Sequence, residues 1–275
     1  MRAFTSVIAA CLMSASTLCA QDYDTNMFNH MSLGVTAGTP GVGLDIAMPM
    51  SDYVQVRAGA TYMPQISFNT ELEYKDEATD AMKASPTTIK NKVDFFNAKL
   101  LFDIYFSPSF PLHLTLGAYY GGGTPITIES VGNEEKLIEI WQHNINRIND
   151  PYGDRGSELW GPMVGSYVLL PDNEGKINAR IETSKFKPYA GLGWGRAQTD
   201  GGINWMVEAG VMFWNEPKMY CTTTCKDAEN NNKLKEVTYE LPAQSTSSSK
   251  GGLATQISKI KIYPVINFRL GFNLF

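Results

Sequence analysis

The sequence predicts an all-β fold: a transmembrane antiparallel up-and-down β-barrel of eight strands, with ten or twelve as alternative counts, and a short extracellular loop helix. Three observations predict it. Before Phe275, Ile260, Ile262, Pro264, Ile266, Phe268, Leu270, Phe272 and Leu274 fall on one face of an extended chain. Lys259, Lys261, Tyr263, Asn267, Arg269, Gly271 and Asn273 fall on the other, where only Val265 is aliphatic. A long strand with one face in lipid and the other in a polar lumen alternates this way. The connections between alternating segments are also short and long by turns. Finally, no stretch after an apolar leader reaches the ~18 unbroken apolar residues that a membrane helix needs.

The leader comes first in the chain. Arg2 precedes the apolar run Val7-Ile8-Ala9-Ala10-Cys11-Leu12-Met13, and small residues lead to Leu18-Cys19-Ala20. Residues 1–20 therefore read as a secretory signal peptide cleaved after Ala20, which leaves 21–275 as a single barrel domain. Ile8-Ala9-Ala10-Cys11 also resembles a lipobox, but its cysteine comes too early to follow a full apolar core.

Each strand has a period of two. Strand one turns Met31, Leu33, Val35 and Ala37 outward, against Ser32, Gly34, Thr36 and Gly38. Strand two shows Val42, Leu44, Ile46, Met48 and Met50 against Gly43, Asp45 and Ala47. Strand three sets Val54, Val56, Ala58, Ala60 and Tyr62 against Gln55, Arg57, Gly59 and Thr61. Strand four sets Phe96, Ala98, Leu100, Phe102, Ile104 and Phe106 against Asn97, Lys99, Asp103 and Tyr105. Strand five shows Leu112, Leu114, Leu116, Ala118 and Tyr120 against His113, Thr115, Gly117 and Tyr119. Strand six pairs Phe186, Pro188, Ala190, Leu192 and Trp194 with Lys187, Tyr189, Gly191, Gly193 and Gly195. Strand seven pairs Trp205, Val207, Ala209, Val211 and Phe213 with Met206, Glu208, Gly210 and Met212. The closing segment is strand eight. Segments 68–74 and 87–95 extend strands three and four above the membrane, or else form the extra hairpin of a larger barrel.

Connections after strands two, four and six are short and those after three, five and seven are long; only the first outer loop, Thr39-Pro40-Gly41, is also short. Membrane barrels have short turns at one rim and long loops at the other. A soluble β-sandwich, the structural alternative, has no reason to sort loop length by parity.

The inward set carries both signs: Asp45, Arg57, Lys99, Asp103, His113, Lys187, Glu208, Lys261 and Arg269. Eight strands enclose only enough width for side chains to fill, so these read as a paired internal network. A slightly wider barrel would make them a pore lining. The chain is acidic, with a formal net charge of -5, and has no basic tract, so nucleic acid is not an expected partner.

The long excursion after strand five has local structure. Asn133-Glu134-Glu135 resembles a helix start, and Leu137, Ile138, Trp141, Ile145 and Ile148 recur at helical spacing until Asn149-Asp150-Pro151. That stripe caps the barrel mouth, packs on the loop, or holds a partner. Val168-Leu169-Leu170, a turn at 171–175 and segment 177–181 read as a hairpin. Asp150, Asp154 and Glu158 match no calcium-loop spacing and read as solvated charge. Cys221 and Cys225, as Cys-Thr-Thr-Thr-Cys, read as a disulfide, provided a turn brings their Cα atoms within ~7 Å.

Catalytic chemistry has little support. The histidines are His30, His113 and His143. Inward His113 and Ser32 would suit a lipid hydrolase, but nothing local marks the serine or supplies an orienting acid. No catalytic residue, metal site or cofactor is expected.

A family resemblance adds to this reading. Phe186-Lys187-Pro188-Tyr189-Ala190-Gly191-Leu192-Gly193-Trp194-Gly195 resembles the PYxGLGWG strand of small, mostly uncharacterised outer-membrane β-barrel proteins. Glu208–Phe213 with Pro217-Lys218, and Tyr263-Pro264-Val265-Ile266, are similar to later strands of that group. The opening from His30 to Gly41 and the run Tyr53–Gly59 resemble its Bacteroidetes members. The resemblance covers the barrel and not the long loops. It implies an outer-membrane location and transfers no catalytic residue. The expected partners are outer-membrane lipid and lipopolysaccharide, the barrel-assembly machinery, and a surface ligand at the extracellular loops. Phe268, Leu270, Phe272, Leu274 and Phe275 form the expected C-terminal assembly signal, with Phe275 out of phase with the other four. The expected role is structural or surface interaction; a narrow porin-like channel is the alternative, followed by a lipid-modifying enzyme.

Overall fold

The computed structural model describes residues 28, 30–72, 87–145, 159–164, 167–197, 202–227, 233–241 and 261–274. The leader with its cleavage site, Ile148, Asp150, Asp154, Glu158 and Phe275 lie outside the described residues.

The strands are β1 (Ser32–Gly38), β2 (Gly41–Ser51), β3 (Val54–Leu72), β4 (Thr87–Ser107), β5 (Phe110–Gly121) and β6 (Ile126–Val131). Helix α1 (Glu134–Asn144) follows. Then come β7 (Met163–Val164), β8 (Tyr167–Val168), β9 (Asn178–Glu182), β10 (Phe186–Gly195), β11 (Ile203–Phe213), β12 (Lys218–Asp227), β13 (Lys233–Glu240) and β14 (Ile262–Asn273).

Eight of these close a ring in the order β1, β2, β3, β4, β5, β10, β11, β14, and β14 returns antiparallel to β1. They are the eight strands expected. The turns after β2, β4 and β10 lie at the rim that holds Met31 and Leu274, here the terminal end. The long excursions leave from the opposite rim, here the loop end.

The ring is apolar outside and polar inside. Leu44, Leu100, Leu116, Leu192 and Phe268 point outward and are exposed, while Asp45, Arg57, Asp103, His113 and Arg269 are buried. Two aromatic girdles bound the outer band: Tyr62, Phe96, Tyr120, Phe186 and Phe213 towards the loops, and Tyr53, Phe106, Phe110, Trp194 and Trp205 towards the termini. From Tyr53 to Tyr62 the strand rises ~30 Å along its own direction, or ~23 Å vertically at a tilt of ~40°. That height matches a bilayer's hydrocarbon core, and the closed ring leaves no unpaired backbone edge to lipid. No helix among the described residues is long and apolar enough to cross a membrane.

The excursions build a second unit. β3 and β4 run far past the girdle, and their upper halves pair from Ile66↔Val93 to Leu72↔Thr87. They extend the barrel strands and add none to the ring, which settles the count at eight. β6, β9, β12 and β13 pair onto β4 in that order, making a six-stranded upper sheet. Helix α1 and the described segments 159–164 and 167–170 cover one face of it. Leu72, Ile89, Ile128, Leu137, Ile140, Leu169, Leu170, Ile181 and Met219 form its core. The helix therefore packs on the folded loops, burying Leu137, Ile140, Asn144 and Ile145, and Trp141 Nε1 donates to the Thr224 carbonyl at 2.8 Å.

Two local expectations are corrected. The 168–181 segment is not a hairpin: β8 pairs with β7, and both edges of β9 are taken by β6 and β12. Its turn does form, with the Asp172 carboxylate accepting from Glu174 N at 2.9 Å and Lys176 N at 2.8 Å. Cys221 and Cys225 are both free thiols, buried on the inner face of β12. The segment is an extended strand, so four residues separate their Cα atoms by ~13 Å, about twice the disulfide span.

Candidate functional site: the barrel lumen

Inward side chains fill the lumen in four layers. At the terminal end the chain leaving β10 turns inward at Ala197, which is fully buried against Ala47 and Met206. Gln55 Oε1 accepts from Ala197 N and from the Tyr105 hydroxyl, both at 3.1 Å. The Arg196 guanidinium lies 4.1 Å over the Tyr105 ring. No local pattern marked this inward fold; the turn reads as an ordinary polar connection.

The second layer is ionic. Arg57 donates to Asp103 through two bonds, each 2.7 Å, and also donates to Glu208. Thr115 donates to Asp103 at 2.8 Å and to Glu208 at 3.1 Å, and the Tyr189 hydroxyl donates to Glu208 at 2.7 Å. Beside this cluster, Asp45 pairs with Lys99 and with Arg269, each at 2.7 Å. Arg269 further donates to Ala197 O at 2.6 Å and Asn204 Oδ1 at 2.8 Å, tying the ionic layer to the inward turn. Three cations thus meet three carboxylates with every side chain withdrawn from solvent. Buried charges are tolerable only when mutually neutralised and hydrogen-bonded in this way.

Inward glycines make the room. A Cβ on Gly34 would lie 2.3 Å from Arg269 Nε, and one on Gly193 would lie 2.2 Å from His113 Nε2. The glycine alternation of β10 is therefore a packing requirement of this interior.

His113 Nδ1 lies 3.1 Å from the Pro111 carbonyl, which can only accept, so that nitrogen carries the proton. Ser32 Oγ is instead held by Asn204 at 3.2 Å and Arg269 at 3.3 Å. The structure gives Ser32 and His113 separate partners. Ligand atoms of Asp103, His113 and Glu208 converge within 4.8 Å. Arg57 donates to both carboxylates and places a positive charge beside them, so Asp103 and Glu208 belong to the ion-pair core and His113 borders it.

The third layer is apolar and aromatic: Leu101, Tyr119, Tyr189, Met212 and Val265. Tyr119 and Tyr189 meet edge to face at 5.4 Å. The fourth layer forms the loop-end mouth. Lys187 Nζ donates to Asn97 Oδ1 at 3.1 Å, to the Gly121 carbonyl, and to Gly122 O at 3.4 Å. Phe95, Trp214 and Tyr263 stand around it.

Lys261 departs from expectation. It precedes β14 at the loop-end rim, is mostly exposed, and faces Glu216 at 3.5 Å. Its alternation belongs to a segment that has not yet entered the barrel wall. The other eight predicted interior residues are buried in the lumen. Phe268, Leu270, Phe272 and Leu274 face outward from β14 and its end.

Above the barrel, the exposed face of the upper sheet is polar. Lys218 and Glu240 pair at 3.0 Å, and Tyr220 also donates to Glu240 at 3.2 Å. The Lys218 hydrogen bond holds the Glu240 carboxyl below its ordinary value. On the opposite face, burial pushes the Cys221 thiol up to about 12, and Cys221 donates to Leu170 O at 3.3 Å.

No protein-family model matches this chain, and no curated protein matches it. Among solved structures, it is similar to CarO of Acinetobacter baumannii, with a TM-score of 0.43 and 16% identity over 88% of this chain and 96% of that one. CarO2 of the same organism gives 0.44 and 15% over 90% and 99%. A major outer membrane protein from Thermus thermophilus gives 0.38 and 8% over 89% and 98%.

Proposed function

We propose that the protein is an outer-membrane β-barrel whose lumen is a structural plug and whose working surface is the folded unit above it. The observation that carries this is the layered filling of the lumen. Ala197 packs inward on Ala47 and Met206 at the terminal end, and a charge-balanced layer and an aromatic layer lie above it. Residues 1–20 serve as the export signal, cleaved after Ala20, and the termini face the periplasm. The outward Phe268, Leu270, Phe272 and Leu274 engage the assembly machinery, and the apolar band meets lipid and lipopolysaccharide. The folded extracellular unit presents a surface to a ligand. The role is non-catalytic, in a protein of the Bacteroidetes-type group of small outer-membrane barrels.

Conductance of the purified, full-length protein in planar bilayers tests the plug. The expected trace has no discrete openings under a holding potential of either sign. Stable, ion-selective openings would replace the plugged barrel with the narrow-channel alternative.

A further inference from the structure

The upper sheet continues the barrel wall. Asp94 N donates to the Pro125 carbonyl at 3.3 Å, carrying the β4–β5 seam up to β6. Thr183 N donates to Gly123 O at 2.7 Å, and Ser184 N donates to Trp214 O at 3.0 Å. β6 thus stands over β5, β9 over β10 and β12 over β11. Among the described residues nothing stands over β1 and β2, which are joined by the short turn at Thr39 and Pro40. The wall is open there, and the upper sheet ends in two free edges, β13 and the upper half of β3.

The two edges are built differently. Along β13, Lys233, Lys235, Glu236 and Glu240 supply the charge that protects a free edge from further pairing. β3 carries no such protection from Ile66 to Thr70. Its pairing with β2 ends at Tyr62, and after the register shift beyond Met63 every residue from Ile66 to Glu71 is exposed. Ile66 and Phe68 are 53% and 51% exposed on one face. The strand is nonetheless held in place, paired to β4 as far as Leu72, and Asn91 Nδ2 donates to Thr70 Oγ1 at 3.1 Å. Half of its backbone donors and acceptors face away from β4.

We propose that this edge takes up an extended segment of a second, different protein as an added antiparallel strand. An unpaired edge selects a backbone in extended form, and side chains at alternate positions set the preference. β4 shows what suits β3 from the other side: Ile89 and Val93 on the face of Ile66 and Phe68, Lys90 and Lys92 on the face of Ser67, Asn69 and Glu71. The incoming segment has the same pattern, apolar on the first face and basic on the second, beside Glu71. A second copy in the same membrane does not fit symmetrically. β3 runs away from the bilayer in both copies, whereas a two-fold strand pair is antiparallel.

This partner rests on the reading of the upper unit as the working surface. The probe is an acetylated, amidated peptide with the sequence of residues 87–94, titrated against the full-length protein in lipid nanodiscs, with empty nanodiscs as the blank. Saturable binding is expected, with amide exchange slowed between residues 66 and 71. Two N-methylated peptides fix the mode, one modified at Thr88, Lys90 and Lys92, the other at Ile89, Asn91 and Val93. One set should weaken binding at least about tenfold and the other should not, because a strand bonds through one edge. F68K, at an exposed position, should weaken binding similarly with the folded gel mobility intact, and L234K on β13 should leave it unchanged. The methylated peptides decide the matter if F68K does not fold. No saturable binding, equal effects of the two methylated sets, or loss with L234K and not F68K would overturn the proposal. So would edge protection that forms without peptide and disappears on dilution, which assigns the edge to a second copy. Discrete conductance would sink the plugged lumen and leave this edge standing; a closed barrel that binds no peptide keeps the plug and removes the partner.

Discussion

The barrel and the unit above it share two strands and solve opposite problems with them. Along β4, Thr87, Ile89, Asn91 and Val93 continue the same face as Asn97, Lys99, Leu101 and Asp103. Above the girdle that face carries no charge, and its Ile89 joins the apolar core that holds Leu137 and Ile140 of α1; below it, the face carries the lumen's charge network. The other face changes in the reverse sense, from Lys90 and Lys92 to Phe96, Leu100 and Ile104. The inversion falls beside the register shift between Met63 and Ile66 on β3. What differs is the medium. Water outside demands an apolar interior; lipid outside permits, and a lumen fills with, a polar one.

The sharpest way to break this contrast is to unbalance the lumen. R57M strands Asp103 and Glu208 without their cation and should cost about 3–5 kcal/mol. Urea unfolding in lipid vesicles measures it, and an unchanged midpoint would mean the network is not structural. L137A in the upper core should cost a little less, about 2–5 kcal/mol depending on the collapse of the cavity. That loss should be local: protease should cut the upper unit while the barrel keeps its heat-modifiable gel shift. Loss of both together would show that the two regions fold as one.

Reversing single positions on the outward face of β4 sharpens the boundary. L100K puts a charge into the lipid band and should cost about 2–4 kcal/mol, whereas K90L, above the girdle, should stay within about 0.5 kcal/mol. Equal effects at the two sites would misplace the membrane.

The Cys221 thiol supplies a pH test confined to the upper unit. Burial raises it from its ordinary 9.0 to about 12, so the fold holds it neutral. Its stabilising contribution is complete below about 9 and is lost as pH rises towards about 12. Near-ultraviolet dichroism should therefore show alkaline loosening that C221A lacks. Diamide should not link Cys221 to Cys225 in the folded protein, and a mass loss of two hydrogens would reinstate the disulfide. The smallest effect belongs to the exposed Lys218–Glu240 pair, where E240Q should leave the unfolding midpoint unchanged.

The eight barrel strands were legible because two different media impose a strict period of two. The inward assignment of the eight interior residues that are buried in the structure follows from that alternation alone. Lys261 failed because alternation does not say where a strand enters the wall. The upper sheet was illegible for another reason. Its strands come from three separate excursions, and pairings such as Ile128↔Ala179 and Cys221↔Ala179 join distant short segments. One signal was present: Thr222, Thr223 and Thr224 are β-branched and favour extension over a turn. The setting of Lys187 combines β4, β5 and β10, and the strand pattern identifies the cation without showing that its described partners are an amide and two carbonyls.

The seam of the ring, where β1 meets β14 from Ser32↔Asn273 to Gly38↔Asn267, sets an order of events. β1 can join β2 as soon as both are made, through the tight connection at Thr39 and Pro40. Its other edge must wait for residues roughly 240 positions later, at a closure cost of about 5 kcal/mol from chain entropy alone. The cylinder therefore closes last at the place where its oldest and youngest segments touch. Until then β1 and β14 are each half-satisfied, and they are where a folding catalyst has something to hold.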